Sequence, residues 1–482
     1  MKTKLYFILC LFFFLSSCSN WLEVDLDNKV DDSKLFSSPE GFKEALSGIY
    51  SSMSKNDMYG EYLTMEYIDI LSGSYYYYSG IKSTYEYWKD YNYIQSSSKS
   101  TLSVFWKRLY ANISQANCIL EWADKNAGVL SEADRNQVRG EALGLRAYLH
   151  FDLYRLFSPD VKRSPDAESI PYNKEFGVSL PPMYSAKEVV QLIINDLLEA
   201  EKCLANDPIT NVIPYAITSQ MEGVATVDAA AKNASDQYVA RINLYTIKAM
   251  LARAYQARGE FTKAIEKAKE VIESEKFRLL DFGSIDQSEK TVDLLFSDEL
   301  IFGLRNSKIN TYSQKLHRDN TTSTGATNLT PLPFSNVAAT YESNNDDARY
   351  AKWFNVGKLV KFMPDTASIY PQKMPMIKLS EMYLLVAECC YSSDPVTALQ
   401  YINELRDHRI RNNVHWTTLT RNYIYEEMKR EYVGEGQLWY VYKRNDMALP
   451  GDGISGEVVP SDDVFVFPLP DAEIEDGHRT QK

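Results

Sequence analysis

The chain has 482 residues, and 52 lysines and arginines stand against 65 aspartates and glutamates, so its formal net charge is −13. This acidic balance, without any long cluster of basic residues, argues against nucleic acid as a partner. The length suffices for one large domain or two to three ordinary domains with a sizeable core.

The first 17 residues are predicted to be a cleaved secretion signal. Lys2 and Lys4 precede an apolar run from Leu5 to Leu15, which is shorter than the roughly 20 residues that a membrane-spanning helix needs. Leu15-Ser16-Ser17-Cys18 resembles a bacterial lipobox, so Cys18 is predicted to carry lipid after cleavage. Several acyl chains on one residue would anchor the protein durably. A plain secreted protein with an incidental cysteine is the alternative.

The segment from Tyr59 to Tyr93 is rich in aromatic residues, with eleven tyrosines and Trp88. Tyrosine and tryptophan offer a flat apolar face and a polar edge, and they lose little side-chain entropy on binding. This combination suits an uncharged, hydroxyl-rich ligand. The alternative is core packing, which we expect for about half of the tyrosines. The candidate ligand-binding residues of this segment are Tyr75, Tyr76, Tyr78 and Trp88.

Apolar residues recur at three- and four-residue steps in most of the remaining chain, as in amphipathic helices. The stretches 102–123 and 142–156 are predicted to pair as a helical hairpin. Ser185 and Glu188 form a capping box, and Asp394-Pro395 marks another helix start. His150 lies on an apolar helix and is predicted to be a hydrogen-bonded core residue instead of a metal ligand.

Two segments, 251–268 and 382–405, have the order of small and large residues that is typical of a tetratricopeptide helix pair. Such helices approach closely and bury a shared apolar stripe. The sequence therefore predicts a mainly α fold in which irregular tetratricopeptide-like helix pairs form a scaffold. Residues 18–482 are predicted to be a single domain, with loop-rich insertions that hold the ligand site around 57–100, 160–184, 207–240 and 276–375.

Four segments resemble a known family. Residues 141–157 (EALGLRAYLHFDLYRLF), followed by an Ile-Pro-Tyr segment, and residues 376–388 (MIKLSEMYLLVAE) are similar to two helices of the SusD-like family, also called RagB/SusD. Residues 427–444 (EMKREYVGEGQLWYVYKR) and 465–474 (FVFPLPDAEI) resemble its later elements. The ordered matches extend over nearly the whole mature chain.

Single positions add to this comparison. Asp347 and Arg349 stand where the family has a D-x-R motif. Gln437 and Tyr440 depart from the pattern, which has arginine and aspartate there, and this departure affects a local salt bridge. Residues of the 427–444 segment are spaced for structural ion pairs at or just below a helix surface, namely Glu427, Arg430, Glu431 and Arg444. Vicinal Cys389 and Cys390 are predicted to be buried small hydrophobic residues.

The resemblance implies a nutrient-binding lipoprotein of the cell outer membrane that faces the outside. It would bind an oligosaccharide or polysaccharide and deliver it to a SusC-like TonB-dependent transporter. In the family, glycan contacts come from the aromatic insertion and from a later loop, which here is 305–325. The candidates in this loop are Arg305, Asn306, Asn310 and Tyr312. No cofactor, metal or catalytic residue is expected.

Three alternatives stay open at this point. The first is a RagB-like relative that takes peptides, and the second is a protein-binding adaptor built from helical repeats. The third is a secreted glycosidase, because adjacent acids occur at Asp346-Asp347 and Asp462-Asp463. A glycosidase needs two carboxylates about 5–10 Å apart across a sugar site. Neither acid pair lies near the aromatic segment in the chain.

Overall fold

Helices make up most of the structure, which confirms the mainly α prediction. The computed structural model describes residues 32–75, 83–177, 180–214, 236–279, 293–317, 334, 336–355, 358–363, 372–450, 456–477 and 479. Cys18, Tyr76 and Tyr78 lie outside these residues. Among the helices in these ranges, none is long and apolar enough to cross a membrane.

The helices are α1 (Asp32–Leu35), α2 (Pro39–Met53), α3 (Tyr67–Leu71), α4 (Ser83–Lys89), α5 (Ser96–Lys125), α6 (Glu132–Phe157), α7 (Ala186–Cys203), α8 (Asp236–Val239), α9 (Leu244–Arg258), α10 (Phe261–Ile272), α11 (Ile309–His317), α12 (Val337–Thr340), α13 (Ala348–Trp353), α14 (Leu379–Cys390), α15 (Pro395–Asp407), α16 (Arg421–Glu431), α17 (Leu438–Asn445), α18 (Asp462–Phe465) and α19 (Asp471–Glu475). A π-helical turn spans Asn56–Gly60, and 3₁₀ turns span Pro208–Asn211 and Ser297–Glu299.

The strands form three small antiparallel pairs. They are β1 (Glu168–Pro171) with β2 (Met183–Ser185), β3 (Leu300–Arg305) with β6 (Lys373–Lys378), and β4 (Phe354–Asn355) with β5 (Lys358–Leu359). In the β3–β6 pair, Leu304 lies opposite Met374 and Arg305 opposite Lys373. This pair leads from the helices into the loop that begins at Asn306.

Seven helices pack in succession and form the frame of the molecule. α5 packs on α6, α6 on α7, α7 on α9, α9 on α10, α10 on α14, and α14 on α15. The predicted hairpin of α5 and α6 and both predicted tetratricopeptide-like pairs are present. Buried alanines such as Ala252, Ala264 and Ala268 let these helices approach closely. The two pairs are distant in sequence but adjacent in space, because α10 contacts α14 directly.

Chemical signals at the helix starts are also confirmed. The Glu188 carboxylate accepts a hydrogen bond from the Ser185 N–H at 2.8 Å and completes a capping box at α7. The Asp394 carboxylate accepts from the Thr397 N–H at 3.0 Å at the start of α15. These bonds satisfy backbone donors that have no partner inside the helix.

Asn243 links the frame to the strand that leads to the loops. Its Oδ1 accepts from the first-turn N–H groups of Tyr245 and Thr246 at 2.9 Å, and its Nδ2 donates to the Ile301 carbonyl of β3 at 2.9 Å. We expect Asn243→Ala to lower the free energy of unfolding by about 2 kcal/mol, because it removes the cap and leaves two buried backbone N–H donors without their acceptor. Urea denaturation measures this change. The exposed Asn195→Ala on α7 is the control and should stay within about 0.5 kcal/mol.

A network of buried charges fixes the long insertion between α10 and α14 to the frame. The Glu431 carboxylate accepts from Arg349 Nη1, Arg409 Nη2 and Lys378 Nζ, each at 3.0 Å. Arg349 also pairs with Asp347 at 2.8 Å, which gives the D-x-R motif a structural role. Glu431 and Glu427 are fully buried, so these ion pairs lie deeper than their helix-surface spacing predicts. The reason is that the insertion covers this face of α16.

Gly436 packs against the turn that follows the π-helical turn. Its φ is +64°, and a Cβ at this position would lie 2.6 Å from the Leu63 carbonyl oxygen and from the Thr64 Cα. Its N–H donates to Asp69 Oδ1 at 3.1 Å. Only glycine tolerates both the backbone conformation and the close approach. The segment around Tyr62 is therefore held directly against the turn between α16 and α17.

His150 is a core residue, as predicted. Its Nε2 accepts from the Asn173 N–H at 3.0 Å, so Nδ1 carries the proton and donates to the Arg146 carbonyl at 2.9 Å. Burial lowers the pKa of His150 to about 3. Cys389 and Cys390 are buried, and the cysteines of the described ranges form no disulfide.

Candidate ligand-binding site

The structure brings together the two segments in which the sequence predicted the ligand site. The π-helical turn Asn56–Gly60 contacts α11. Lys315 Nζ of α11 donates to Glu61 Oε1 at 2.8 Å, and Tyr75 forms a β-bridge with Phe334. Residues about 250 positions apart in the chain thus form one surface.

Acidic and basic side chains balance each other at this junction. Arg108 Nε donates to Asp57 Oδ2 at 2.7 Å, and Lys315 neutralises Glu61. Glu66 accepts from the Tyr85 hydroxyl at 2.7 Å, and Glu61 lies near enough to influence its charge. Burial and the negative charge of Glu61 raise the pKa of Glu66 to about 8. Glu66 is therefore mostly protonated at pH 7, and the junction has no net charge.

The protonated Glu66 makes stability depend on pH. Because its pKa is about 8 in the folded state and near 4.5 in the unfolded state, its contribution is present at low pH and is lost as pH rises from about 4.5 to 8. We expect Glu66→Gln, which stays neutral, to gain stability relative to the wild type over this window, by on the order of a few kcal/mol. Urea denaturation at pH 5, 7 and 9 measures it. The exposed Glu44→Gln is the control, and an equal pH dependence in wild type and Glu66→Gln would contradict the assignment.

Two partly exposed tyrosines, Tyr62 and Tyr312, lie near the charged groups of this junction, and we refer to them together as the Tyr62–Tyr312 platform. Tyr62 packs edge-on against Tyr67 with ring centroids 4.9 Å apart, and it is partly exposed. Tyr312 on α11 is also partly exposed. Burial, then Glu61 and Asp57, raise the pKa of Tyr312, so both hydroxyls stay protonated.

The groups of the platform suit the binding of a ligand. The rings supply apolar faces, while Lys315 and Arg108 are partly exposed donors at their edge. Protonated tyrosine hydroxyls can both donate and accept. Within the described ranges, no three His, Cys, Asp or Glu side chains are grouped as a metal site requires. The arrangement suits a neutral molecule with apolar faces and several hydroxyl groups.

Two of the predicted aromatic contacts are wrong, because Tyr75 and Trp88 are core residues. Tyr75 is 2% exposed, its hydroxyl donates to the Met65 carbonyl, and its ring lies 4.7 Å from that of Phe334. Trp88 is fully buried, with its ring 4.5 Å from that of Tyr67. Among the described tyrosines of the segment, the buried ones are Tyr59, Tyr67, Tyr75, Tyr85 and Tyr93. More than half of these rings thus pack inside.

The later loop gives a mixed result. Arg305 is exposed, and its Nε lies 3.0 Å from Asp236 Oδ2. Asn306 is buried, and its Oδ1 accepts from the Lys308 N–H at 3.0 Å, so its predicted role as a ligand contact is wrong. Asn310 and Tyr312 are partly exposed on α11. Tyr312 is the predicted residue that reaches the platform.

Sequence reasoning missed Tyr62, Lys315 and Arg108. Tyr62 was one of eleven similar residues, and no local pattern separates it from its buried neighbours. Lys315 follows Tyr312 by three residues, so the two share a helix face, and this spacing is the signal that could have found it. Arg108 lies on α5, outside both predicted segments.

Comparison with known proteins agrees with the fold. Residues 20–226 match a family described as "Starch-binding associating with outer membrane", and residues 303–475 match the SusD family. SusD-like protein P2 of Formosa agariphila is 24% identical over 546 residues, which cover 98% of this chain and 97% of the relative. SusD-like protein P38 of the same organism is 27% identical over 195 residues, 39% of this chain and 35% of the relative.

Solved structures share the same architecture. A SusD superfamily protein from Bacteroides thetaiotaomicron has a TM-score of 0.71 at 19% identity, covering 92% of this chain and 99% of that protein. A SusD-like carbohydrate binding protein from Bacteroides vulgatus has a TM-score of 0.69 at 18% identity, covering 91% and 96%. Surface glycan-binding protein A from Bacteroides uniformis has a TM-score of 0.66 at 20% identity, covering 92% and 98%. The matches in both halves of the chain and the shared fold together show that the chain belongs to the SusD family.

Proposed function

We propose that the protein is a cell-surface lipoprotein that binds a neutral glycan and delivers it to a SusC-like TonB-dependent transporter. The observation that carries the proposal is the charge-balanced Tyr62–Tyr312 platform at the junction of two insertions. Membership of the SusD family supports it, since one matching family is described as starch-binding and two structural neighbours are named for carbohydrate or glycan binding.

Physical chemistry favours a neutral ligand at this platform. Asp57 is paired with Arg108, Glu61 with Lys315, and Glu66 is mostly protonated at pH 7. A charged ligand would have to break one of these pairs and would gain no net attraction in return. Sugar rings need what the platform offers, namely aromatic faces for C–H groups and donors for hydroxyls.

The alternative of a glycosidase has weak support from the geometry. Asp347 is buried and paired with Arg349, and Asp462 pairs with Arg163. We therefore propose a protein that binds its ligand without chemistry.

Affinity electrophoresis with neutral polysaccharides tests the proposal. Native gels with amylopectin, laminarin, galactomannan, xylan or levan should retard the wild-type protein with at least one of them. Tyr62→Ala and Tyr312→Ala should each weaken binding about tenfold, because a stacked ring contributes on the order of 1.4 kcal/mol. The stability to urea should change little, since both rings are partly exposed.

The half-buried Tyr184 of β2 provides the matched control, and Tyr184→Ala should be retarded like the wild type. Retardation that survives the double variant Tyr62→Ala/Tyr312→Ala would contradict the platform. Capture of a tryptic peptide mixture, with no retardation by any polysaccharide, would favour the peptide-binding alternative.

Anchoring and delivery form the second half of the proposal and come from the family resemblance. Cys18→Ala should move the protein from the membrane fraction to the soluble fraction of its host. Affinity purification of the lipidated protein should bring down a TonB-dependent outer-membrane transporter. A Cys18→Ala protein that stays in the membrane fraction would contradict lipid anchoring at this residue.

A further inference from the structure

A cavity lies between the helical frame and the two helices that follow it, among side chains of α6, α9, α14, α16 and α17. Its lining residues do not include those of the Tyr62–Tyr312 platform. Its volume is about 60 Å³, which is room for several water-sized groups. Gln437 and Tyr440, the two departures noted in the sequence, both line it. We name it the frame cavity.

Two tyrosines with little exposed surface contribute hydroxyl groups to its wall. Tyr432 and Tyr440 are each 5% exposed and line the cavity. Within the described ranges, neither hydroxyl has a hydrogen-bonding partner. A hydroxyl that no protein group pairs can donate to and accept from water or a bound molecule. The two hydroxyls are therefore available to a molecule inside the cavity.

Arg155, which lies beside these hydroxyls, is held by contacts on several sides. The guanidinium carbon of Arg155 lies 3.7 Å from the centre of the Tyr440 ring. Arg155 Nη1 donates to Gln437 Oε1 at 3.1 Å, and Arg155 Nε donates to Asp152 Oδ1 at 3.1 Å. Arg155 is thus held by a hydrogen bond to the amide oxygen of Gln437 and by a cation–π contact with Tyr440. A preorganised wall reduces the entropy lost on binding.

The charges of the wall cancel. Arg155 pairs with Asp152, Arg253 Nη2 donates to Glu381 Oε2 at 2.6 Å, and Arg444 Nε donates to Glu388 Oε1 at 3.0 Å.

The remaining cation, Lys443, donates to the Arg155 and Ser158 carbonyls at 2.6 and 2.7 Å, and Asp160 shares the same wall. Burial lowers the pKa of Lys443 to about 7. An anion would gain no net attraction from this wall, and a cation would gain none either.

We propose that the frame cavity is a second binding site, which takes a small uncharged polyol from glycerol to a monosaccharide in size. Polyol hydroxyls match the unpaired hydroxyls of Tyr432 and Tyr440, because each group can donate and accept. Apolar wall residues such as Phe151 and Leu385 accommodate the C–H groups. This site is independent of the platform and of the proposed glycan capture.

Thermal unfolding of the full chain with glycerol, erythritol, D-glucose, D-galactose and D-mannose tests the proposal. High concentrations of any polyol stabilise proteins by exclusion from their surface, without saturation. A bound polyol instead raises Tm with a saturating dependence on concentration. We expect saturation with at least one of these polyols in the wild type, and at least a tenfold weaker response in Tyr432→Phe/Tyr440→Phe.

Gln437→Arg is the second variant, because it places a longer, charged side chain in the cavity and should abolish the saturable response. Far-UV circular dichroism checks that each variant is folded. Tyr62→Ala/Tyr312→Ala should keep the full response. A failure of the glycan proposal can therefore be distinguished from a failure of the cavity proposal. Equal responses in wild type and both cavity variants, or saturation with sodium acetate alone, would overturn the assignment.

Discussion

Glu431→Gln is expected to lower the free energy of unfolding by about 3–5 kcal/mol at pH 7. Glu431 is fully buried and accepts hydrogen bonds from Arg349, Arg409 and Lys378. The substitution keeps the shape of the side chain but leaves buried cations without their common anion. Its amide N–H₂ also faces donors, so two of the original bonds cannot form. Urea denaturation measures the change.

The pH dependence of this effect identifies its cause. Burial alone would raise the pKa of Glu431, but Arg409, Lys378 and Arg349 outweigh it and hold the pKa well below 4.5. The stabilisation is therefore present above about pH 4.5 and is lost as pH falls. The difference between wild type and variant should narrow below that pH. The exposed Glu266→Gln on α10 is the control, with an expected change within about 0.5 kcal/mol.

Trp88→Ala is expected to destabilise the protein by about 3–5 kcal/mol, since it empties a fully buried indole site. The indole lies among the rings of Tyr67, Tyr93, Phe105 and Phe467, with centroids 4.5–6.0 Å away. Each of these rings would lose a packing partner, and the space left by the Trp88 indole could close only in part. Thermal and urea unfolding both measure the loss.

Trp88→Phe provides the matched control, because it keeps an aromatic ring and should lose clearly less stability than Trp88→Ala. Polysaccharide retardation by Trp88→Phe should match the wild type. A Trp88→Ala protein with unchanged stability and lost retardation would support the ligand contact predicted from sequence and contradict the buried position.

The helical frame was predictable because its signals are local. Apolar periodicity marked the hairpin of α5 and α6, and alanine spacing marked the pair of α9 and α10. Ser185 and Asp394 marked the starts of two helices, because the hydrogen bonds that cap these helices span only three residues. Signals of this range are readable in a single sequence.

The site was only partly predictable because exposure is a property of the fold. Tyr62 and Tyr75 are the same residue type in the same segment, yet one borders the platform and the other packs against Phe334. The difference arises from Phe334 and α11, which lie more than 200 residues away. Likewise, the spacing of Glu427 and Glu431 predicted helix pairs, but their burial depends on Arg349 and Lys378 from distant segments.

Pairing between the ends of the chain has a consequence for how the protein reaches its native state. The Tyr93 hydroxyl donates to the Val464 carbonyl at 2.8 Å across a separation of 371 residues, and the Gly436 N–H reaches Asp69 across 367. High contact order slows folding, because distant segments must meet before their contacts are gained. The aromatic region near the N-terminus therefore becomes native only after nearly the whole polypeptide is available. Refolding should be slow and should fail in fragments that end before Phe467.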